Sequence, residues 1–280
     1  MRLATIRIDG TTRAVRVEDD GHVDLGASDV GELLQRRDWL VWAESASGTV
    51  HRPAEPDYAP LVLRPGKIVC VGLNYRTHIL EMGRDLPEHP TLFAKYPEAL
   101  IGAHDDIQLA PESDAVDWEA ELAVVIGSTV RRAGEEQAKA AIAGFAVLND
   151  VTMRDWQYRS PMWDQGKTWE QTTPLGPYLV TPDELPGGTR PRLDLAAFVD
   201  GTRVQYANTS DLVFDPVALV RYVSTILTLL PGDVIATGTP GGVGHARTPA
   251  VYLQPGQVLT TEIERLGRME NCAVAECVDA

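Results

Sequence analysis

Basic side chains are scarce in this sequence. Its 280 residues include 25 lysines and arginines against 40 aspartates and glutamates, which gives a formal net charge of −15 with histidine neutral. Because nucleic acids bind to clustered basic surfaces, this balance argues against a nucleic-acid partner. With 44% hydrophobic and 23% charged residues, the chain has the composition of a folded globular protein with a sizeable core.

Long hydrophobic runs and cysteines are also few. The apolar segment at 222–232 is interrupted by Ser, Thr and Pro and is too short to cross a bilayer, so we expect no membrane partner. Residues 1–10 alternate apolar and polar side chains without the apolar core of a signal peptide, which predicts a cytoplasmic protein. Cys70, Cys272 and Cys277 lack the spacing of a zinc or redox motif, and we expect reduced thiols.

The first 45 residues have the pattern of a small unit of short elements. Alternation predicts strands at 3–8 and 13–17, and a helix is predicted at 30–37. The segment at 45–60 contains three prolines and little apolar periodicity, which is typical of a linker. We therefore predict a small N-terminal domain with its linker at 1–60 and a second domain at 61–280.

Strands outnumber helices in the remainder of the chain. Apolar, β-rich runs predict strands at 68–73, 116–126, 145–148, 178–181, 195–199 and 234–237. Helical spacing occurs at 135–143 and 217–229, and a further helix is expected after residue 74. Because strands and helices do not alternate regularly, an α+β fold around a mixed sheet is favoured over a doubly wound one.

Three carboxylates follow one another at every second position. In a strand, Asp117, Glu119 and Glu121 would share one face, where mutual repulsion and desolvation require a cation if that face is buried. Oxygen ligands favour Mg²⁺, Mn²⁺ or Ca²⁺, and Asp150, at the end of another predicted strand, is a candidate further ligand. A solvated edge strand would explain the acidic face equally well, although the apolar run at 122–126 argues against an edge. Asp150 alone could be a turn or helix-cap residue.

Further polar residues lie near these carboxylates in the predicted fold. His78 and Glu81 are three apart and would share a helix face, where a carboxylate can orient an imidazole that acts as a general base. Arg154, Gln157 and Lys167 offer a cation, an amide and an ammonium group that suit a small carboxylate-bearing substrate. Taken singly, each of the five is more typical of a protein surface than of a site.

A glycine-rich segment at 237–244 does not match a phosphate-binding P-loop, which needs a different glycine and lysine spacing. It has instead the composition of a tight loop whose backbone amides and threonine hydroxyls face an anionic group, or of an ordinary turn.

These segments together resemble the fumarylacetoacetate hydrolase family, in its bacterial branch of acylpyruvases and 2-hydroxyhepta-2,4-diene-1,7-dioate isomerases. The resemblance runs from about Lys67 to about Asn271. The motifs that carry it are Gly72-Leu73-Asn74-Tyr75 with His78 and Glu81, Asp117-Trp118-Glu119-Ala120-Glu121, Asn149-Asp150 with Arg154 and Gln157, Gln165-Gly166-Lys167, Gly176-Pro177, Asn208-Thr209-Ser210-Asp211, Pro231-Gly232-Asp233 and Thr237-Gly238-Thr239-Pro240.

The resemblance implies a large mixed β-sheet roll with a small N-terminal α+β domain, usually in a homodimer. It implies that Glu119, Glu121 and Asp150 bind Mg²⁺ or Mn²⁺. It implies that His78 and Glu81 form a catalytic dyad on a lid, with Lys167 as a further catalytic residue. The substrate-binding residues that it implies are Tyr75, Arg154, Gln157 and Thr239.

The implied activity is hydrolysis of a C–C bond in a small 2,4-dioxo acid, such as an acylpyruvate or a fumarylacetoacetate-like acid, through an enolate. Decarboxylation of oxaloacetate-like acids and isomerisation of 2-hydroxydienoates use the same enolate and remain alternatives, as do cleavage of sugar-derived diketo acids and a non-catalytic binding protein. Side chains that would separate these substrates are those of Met82, Arg84, Leu86, Trp156, Tyr158, Trp163 and Trp169. Of these, we expect Trp163 or Trp169 to set the preference for chain length.

Overall fold

The computed structural model describes residues 1–277, which form eighteen strands and seven α-helices. The strands are β1 (Arg2–Ile8), β2 (Thr11–Glu18), β3 (Gly21–Asp24), β4 (Val50–His51), β5 (Ile68–Gly72), β6 (Thr91–Lys95), β7 (Leu100–Ile101), β8 (Ile107–Leu109), β9 (Val116–Asp117), β10 (Ala120–Ile126), β11 (Ile142–Asn149), β12 (Thr152–Met153), β13 (Thr173–Val180), β14 (Asp194–Val199), β15 (Thr202–Asn208), β16 (Val234–Ala236), β17 (Val258–Ile263) and β18 (Gly267–Ala275). The helices are α1 (Val30–Leu34), α2 (Trp39–Ser45), α3 (Arg76–Glu81), α4 (Glu135–Ala141), α5 (Arg154–Gln157), α6 (Asp164–Lys167) and α7 (Pro216–Ile226).

A large mixed sheet organises the molecule, as the sequence predicted. Within residues 1–277 it has eleven strands in the order β4-β3-β2-β1-β13-β11-β10-β16-β5-β6, with β7 beside β13. The pairs β16–β5 and β13–β7 are parallel, and the others are antiparallel. A second sheet has the order β15-β14-β17-β18-β8. The α+β class with a mixed sheet roll is therefore confirmed.

The core lies between the two sheets. Leu122 and Phe145 from the large sheet belong to one buried cluster with Leu195, Ile263 and Met269 from the second sheet, and each of these side chains is at most 2% exposed. Burial of one such side chain contributes about 1.5–3 kcal/mol. The central strands β10 and β11 are buried along their whole length, so their ends present a rigid edge for a site.

The N-terminal strands extend the large sheet, because β1 pairs with β13 through Leu3 and Leu179. Helix α1 begins where the sequence predicts it, after Asp29, whose side chain accepts a hydrogen bond from the backbone N–H of Glu32. Helix α2 was not predicted. The division at residue 60 stays a prediction.

The predicted single strand at 116–126 is wrong, because the structure interrupts it at Trp118 and Glu119. The backbone N–H of Glu119 donates to the side chain of Asn149, and that of Ala120 donates to Gln205, so side chains replace ladder partners here. Asp117 therefore lies in the separate β9–β12 pair and does not continue the carboxylate row. Across residues 1–277, the helices are too short or too polar to span a membrane.

Candidate active site

A cavity of about 280 Å³ opens beside the ends of β5 and β10. Six of the ten predicted site residues line it: His78, Glu119, Arg154, Gln157, Lys167 and Thr239. Glu121 and Asp150 are buried outside its lining, next to Glu119. Tyr75 and Glu81 do not line it either.

Three of the predicted metal ligands converge. Glu119, Glu121 and Asp150 each offer a carboxylate oxygen, these oxygens lie within 4.8 Å of one another, and all three residues are buried. The β10–β11 register produces this grouping, because Ala120 lies opposite Asn149 and so brings Asp150 beside Glu119. Three buried carboxylate oxygens suit a hard divalent cation, which prefers oxygen ligands.

Two lysines neutralise this cluster. Lys167 Nζ lies 2.7 Å from Glu119 Oε2 and 2.8 Å from Asp150 Oδ2. Lys95 Nζ, which is fully buried, lies 2.6 Å from Asp150 Oδ1. Burial alone would lower the pKa of Lys167, but Asp150 and Glu119 outweigh it and raise the pKa, so Lys167 is charged at neutral pH.

Of the three clustered carboxylates, Glu121 has no lysine or arginine within 4 Å in residues 1–277. It accepts a hydrogen bond from the N–H of Gly238 at 2.7 Å. Burial, together with the charges of Asp150 and Glu119, raises the pKa of Glu121 well above its usual range. A divalent cation would remove this cost, so the donor set fits Mg²⁺ or Mn²⁺.

Asp117 is not part of the carboxylate cluster and instead holds Arg154 and the loop at Gly244 and His245 in place. Its Oδ2 accepts a hydrogen bond from Arg154 Nε at 2.8 Å, and its carboxylate also accepts the backbone N–H groups of Gly244 and His245 at 2.7 and 3.0 Å. Arg154 Nη2 lies 2.7 Å from a carboxylate oxygen of Glu119, at an angle outside hydrogen-bond geometry. The glycine-rich loop and Arg154 are thus fixed by one buried carboxylate.

His78 and Glu81 lie on α3, and His78 lines the cavity. Within residues 1–277 no hydrogen bond joins them, but both border Gly241, where a Cβ would lie 3.1 Å from His78 Nδ1 and 3.7 Å from Glu81 Oε2. Burial lowers the pKa of His78, and the charges of Glu81 and Glu119 offset this in part. The imidazole is therefore neutral at pH 7, which is the form that accepts a proton.

The predicted substrate-binding residues Thr239 and Tyr75 differ in their contacts. The hydroxyl of Thr239 donates to the carbonyl of Ala120 at 3.0 Å and accepts a hydrogen bond from Gln205 Nε2 at 2.8 Å. The Tyr75 hydroxyl is buried and has no hydrogen-bond partner in residues 1–277. Burial and the charge of Glu121 raise the pKa of Tyr75. Substrate binding by these two residues stays a prediction.

The four predicted aromatic residues separate into two groups. Trp163 and Tyr158 line the cavity, and Trp163 packs edge-on against Phe93 with ring centroids 5.5 Å apart. Trp156 and Trp169 form an edge-to-face pair at 5.0 Å that does not line it.

A family model described as the C-terminal domain of fumarylacetoacetate (FAA) hydrolase matches residues 67–274. The chain belongs to this family. The match covers every residue of the carboxylate cluster and of the cavity lining named above. The chain is accordingly an enzyme of the fumarylacetoacetate hydrolase family.

Relatives in the family carry several activities. An oxaloacetate tautomerase of Homo sapiens mitochondria is 43% identical over 223 residues, which is 79% of this chain and 70% of the relative. A 2,4-didehydro-3-deoxy-L-rhamnonate hydrolase of Sphingomonas sp. is 43% identical over 76% of this chain and 75% of the relative. A maleylpyruvate hydrolase of Sphingobium sp., solved with manganese(II) and pyruvate, is 29% identical over 99% of this chain and 100% of its own, with a TM-score of 0.80.

Reasoning from the sequence missed several residues of the site, including Lys95 and Gln205 and, in the cavity lining, Phe93 and His245. Lys95 is the last residue of β6, and no nearby sequence motif indicates that its side chain contacts Asp150. Gln205 comes from the second sheet and bonds to both Ala120 and Thr239. Both contacts cross large sequence separations, and no local pattern could have found them.

Proposed function

We propose that this enzyme is a divalent-metal-dependent hydrolase that cleaves a C–C bond of a small 2,4-dioxo acid. The observation that carries the proposal is that the lining of one cavity contains both a neutral histidine, His78, and a charged lysine, Lys167, beside the carboxylate cluster. Hydrolysis needs a base for water and an acid for the leaving carbon, and these two side chains provide both.

The substrate binds at the buried end of the cavity, where Arg154 and Gln157 lie. Arg154 and Gln157 are joined by a 3.0 Å hydrogen bond and together offer N–H donors to the carboxylate and 2-oxo oxygens of the acid. A cation held by Glu119, Glu121 and Asp150, Mg²⁺ or Mn²⁺, would supply Lewis-acid stabilisation of the negative charge that develops on these oxygens.

Proton transfers complete the reaction. His78 takes a proton from water, and the hydroxyl adds to the distal carbonyl carbon, C4. The C3–C4 bond then breaks, its electron pair passes to C3 as an enolate, and Lys167 donates a proton to C3. One water is consumed, and the products are a carboxylic acid and pyruvate. Glu81 stabilises the protonated form of His78.

Conversion of oxaloacetate is a second candidate, favoured by the 43% identity to an oxaloacetate tautomerase. It uses the same enolate and needs no attacking water, so His78 would be dispensable as the base for water. Isomerisation of a 2-hydroxydienoate likewise needs no attacking water, so it too differs from hydrolysis in not requiring His78 as the base for water. A homodimer is also proposed from the family resemblance, and light scattering of the protein in solution would test it.

A product assay with Mg²⁺ or Mn²⁺ separates these activities. The panel contains an acylpyruvate, oxaloacetate and a 2-hydroxymuconate-type dienoate, with wild type, His78→Ala and Glu119→Ala run in parallel. We expect cleavage of the acylpyruvate that both substitutions abolish. Conversion of oxaloacetate alone, unaffected by His78→Ala, would replace hydrolysis with the second candidate.

A further inference from the structure

We infer that Arg84, with His245, binds a second carboxylate at the far end of the substrate, so that the enzyme prefers dioxo diacids to dioxo monoacids. This inference rests on the proposed function and concerns the same cavity. Both residues line it, and both are exposed, whereas Glu119, Arg154 and Lys167 are buried. The cavity therefore has a buried reactive end and an exposed rim that carries cationic and imidazole groups.

The basic side chains at the buried end of the cavity form ion pairs, whereas Arg84 at the exposed rim does not. Lys167 and Arg154 at the buried end are both paired with carboxylates of the chain. Arg84 forms no ion pair within residues 1–277, although acidic Glu81 and Asp85 are close in sequence. In a chain of net charge −15, an arginine at the rim of a cavity with all five guanidinium donors unused is available to an anionic ligand.

His245 is held at the rim by three contacts. Its backbone N–H donates to Asp117 at 3.0 Å, its Nδ1 lies 2.9 Å from the Tyr252 hydroxyl, and its ring lies 5.2 Å from that of Tyr158. Its Nε2 has no hydrogen-bond partner in residues 1–277. A ring fixed in this way offers a second donor in the same cavity lining as Arg84, at little entropic cost.

Among the exposed residues of the cavity lining, Arg84 is the one that carries a fixed positive charge. The lining also includes apolar and aromatic side chains, those of Met82, Phe93, Trp163 and Val243. These accept a short carbon chain and disfavour an unpaired carboxylate. A volume of about 280 Å³ is at the small end for a ligand pocket, which suits a short diacid whose second carboxylate reaches the rim.

Two substrates of equal length test the inference. Butanoylpyruvate and succinylpyruvate both have seven carbons and differ in a terminal methyl against a carboxylate. We expect wild type to have a higher kcat/KM for succinylpyruvate, and Arg84→Gln to reduce the ratio of the two kcat/KM values about ten-fold or more, the range of a charge-assisted hydrogen bond. Arg76→Gln, at the start of α3 and outside the cavity lining, should leave the ratio unchanged. His245→Gln should reduce it less than Arg84→Gln.

Each failure has a separate signature. Cleavage of both acids with a ratio that Arg84→Gln does not alter would overturn the inference and leave hydrolysis intact. If wild type cleaves neither acid, the proposed function fails, and calorimetric titration of the Mn²⁺-loaded protein with both acids still decides the subsite. Tighter binding of succinylpyruvate that is lost in Arg84→Gln would support it, and equal binding of the two acids would overturn it.

Discussion

Lys95 Nζ lies 2.6 Å from Asp150 Oδ1, and neither side chain is exposed to solvent. Lys167 occupies the other oxygen of the same carboxylate at 2.8 Å. Burial alone would raise the pKa of Asp150, but the two ammonium groups lower it, so the carboxylate is charged before any metal binds. Lys167 lines the cavity and Lys95 does not, which gives the two lysines different environments.

Replacement of this buried lysine should destabilise the metal-free protein. Lys95→Met leaves Asp150 with Lys167 as its remaining cationic partner, and loss of one partner of a buried ion pair costs up to about 3–5 kcal/mol. Since the site then has one positive charge fewer, Mg²⁺ should restore more stability to the variant than it adds to wild type. Urea unfolding with EDTA and with Mg²⁺ measures both effects.

The control for this experiment is Lys139→Met, which removes a lysine from a surface pair on α4. It should respond to Mg²⁺ as wild type does. Equal restoration of Lys95→Met and wild type by Mg²⁺ would contradict a role for Lys95 in compensating Asp150.

Substitution of Glu121 should separate stability from metal binding. Because the pKa of Glu121 is raised in the folded state, its contribution to stability is present at low pH and is lost as the pH rises. Glu121→Gln should therefore gain stability relative to wild type between pH 5 and pH 8 in EDTA. It should also lose most of the rise in Tm that Mn²⁺ gives wild type.

Thermal melts at both pH values, with EDTA and with Mn²⁺, test this pair of effects. Glu136→Gln, an exposed site on α4, should behave as wild type under all four conditions. A Glu121→Gln protein that keeps its full Mn²⁺-induced rise would exclude Glu121 as a ligand.

The pH dependence of kcat/KM should report the base. Because burial lowers the pKa of His78, kcat/KM should rise with pH to a plateau, with its midpoint below 6.5. The charge of Glu81 raises the pKa of His78, so Glu81→Gln should move the midpoint to lower pH. Rates of acylpyruvate cleavage between pH 5 and pH 8 give both midpoints, and a shift to higher pH in Glu81→Gln would rule out this pairing.

Trp163 should set the preference for chain length. It lines the cavity and lies against Gly72, where a Cβ would be 2.4 Å from the indole. Trp163→Ala enlarges the cavity and should shift the relative kcat/KM values toward longer acylpyruvates. Trp169→Ala is the matched control, since Trp169 packs on Trp156 outside the lining, and unchanged relative rates in Trp163→Ala would refute the prediction.

Much of the fold follows from local patterns in the sequence. The helix expected at 217–229 is α7, capped by Asp215, and the apolar run at 145–148 lies within β11. The period-two pattern placed Glu119 and Glu121 correctly near each other, but it also included Asp117. That inclusion was wrong because Asn149 and Gln205 take the backbone donors at the strand break, and such distant side chains leave no trace in local periodicity.

The candidate site was predictable to the extent that its residues follow strand ends. Asp150 follows β11 directly, and His78 lies in the first turn of α3, the helix that follows β5. The pairing of β1 with β13 and the approach of Lys95 to Asp150 depend on which strands are neighbours in the sheet. That order is set by packing over the whole chain, so neither contact could be inferred from the surrounding residues.

The most direct test of the proposed hydrolysis is acylpyruvate turnover by the Mg²⁺-loaded enzyme in H₂¹⁸O. If His78 activates water, the released carboxylic acid acquires one ¹⁸O atom per turnover, and His78→Ala forms no labelled acid. Turnover that yields carbon dioxide or an isomer without ¹⁸O in a released acid would contradict the account.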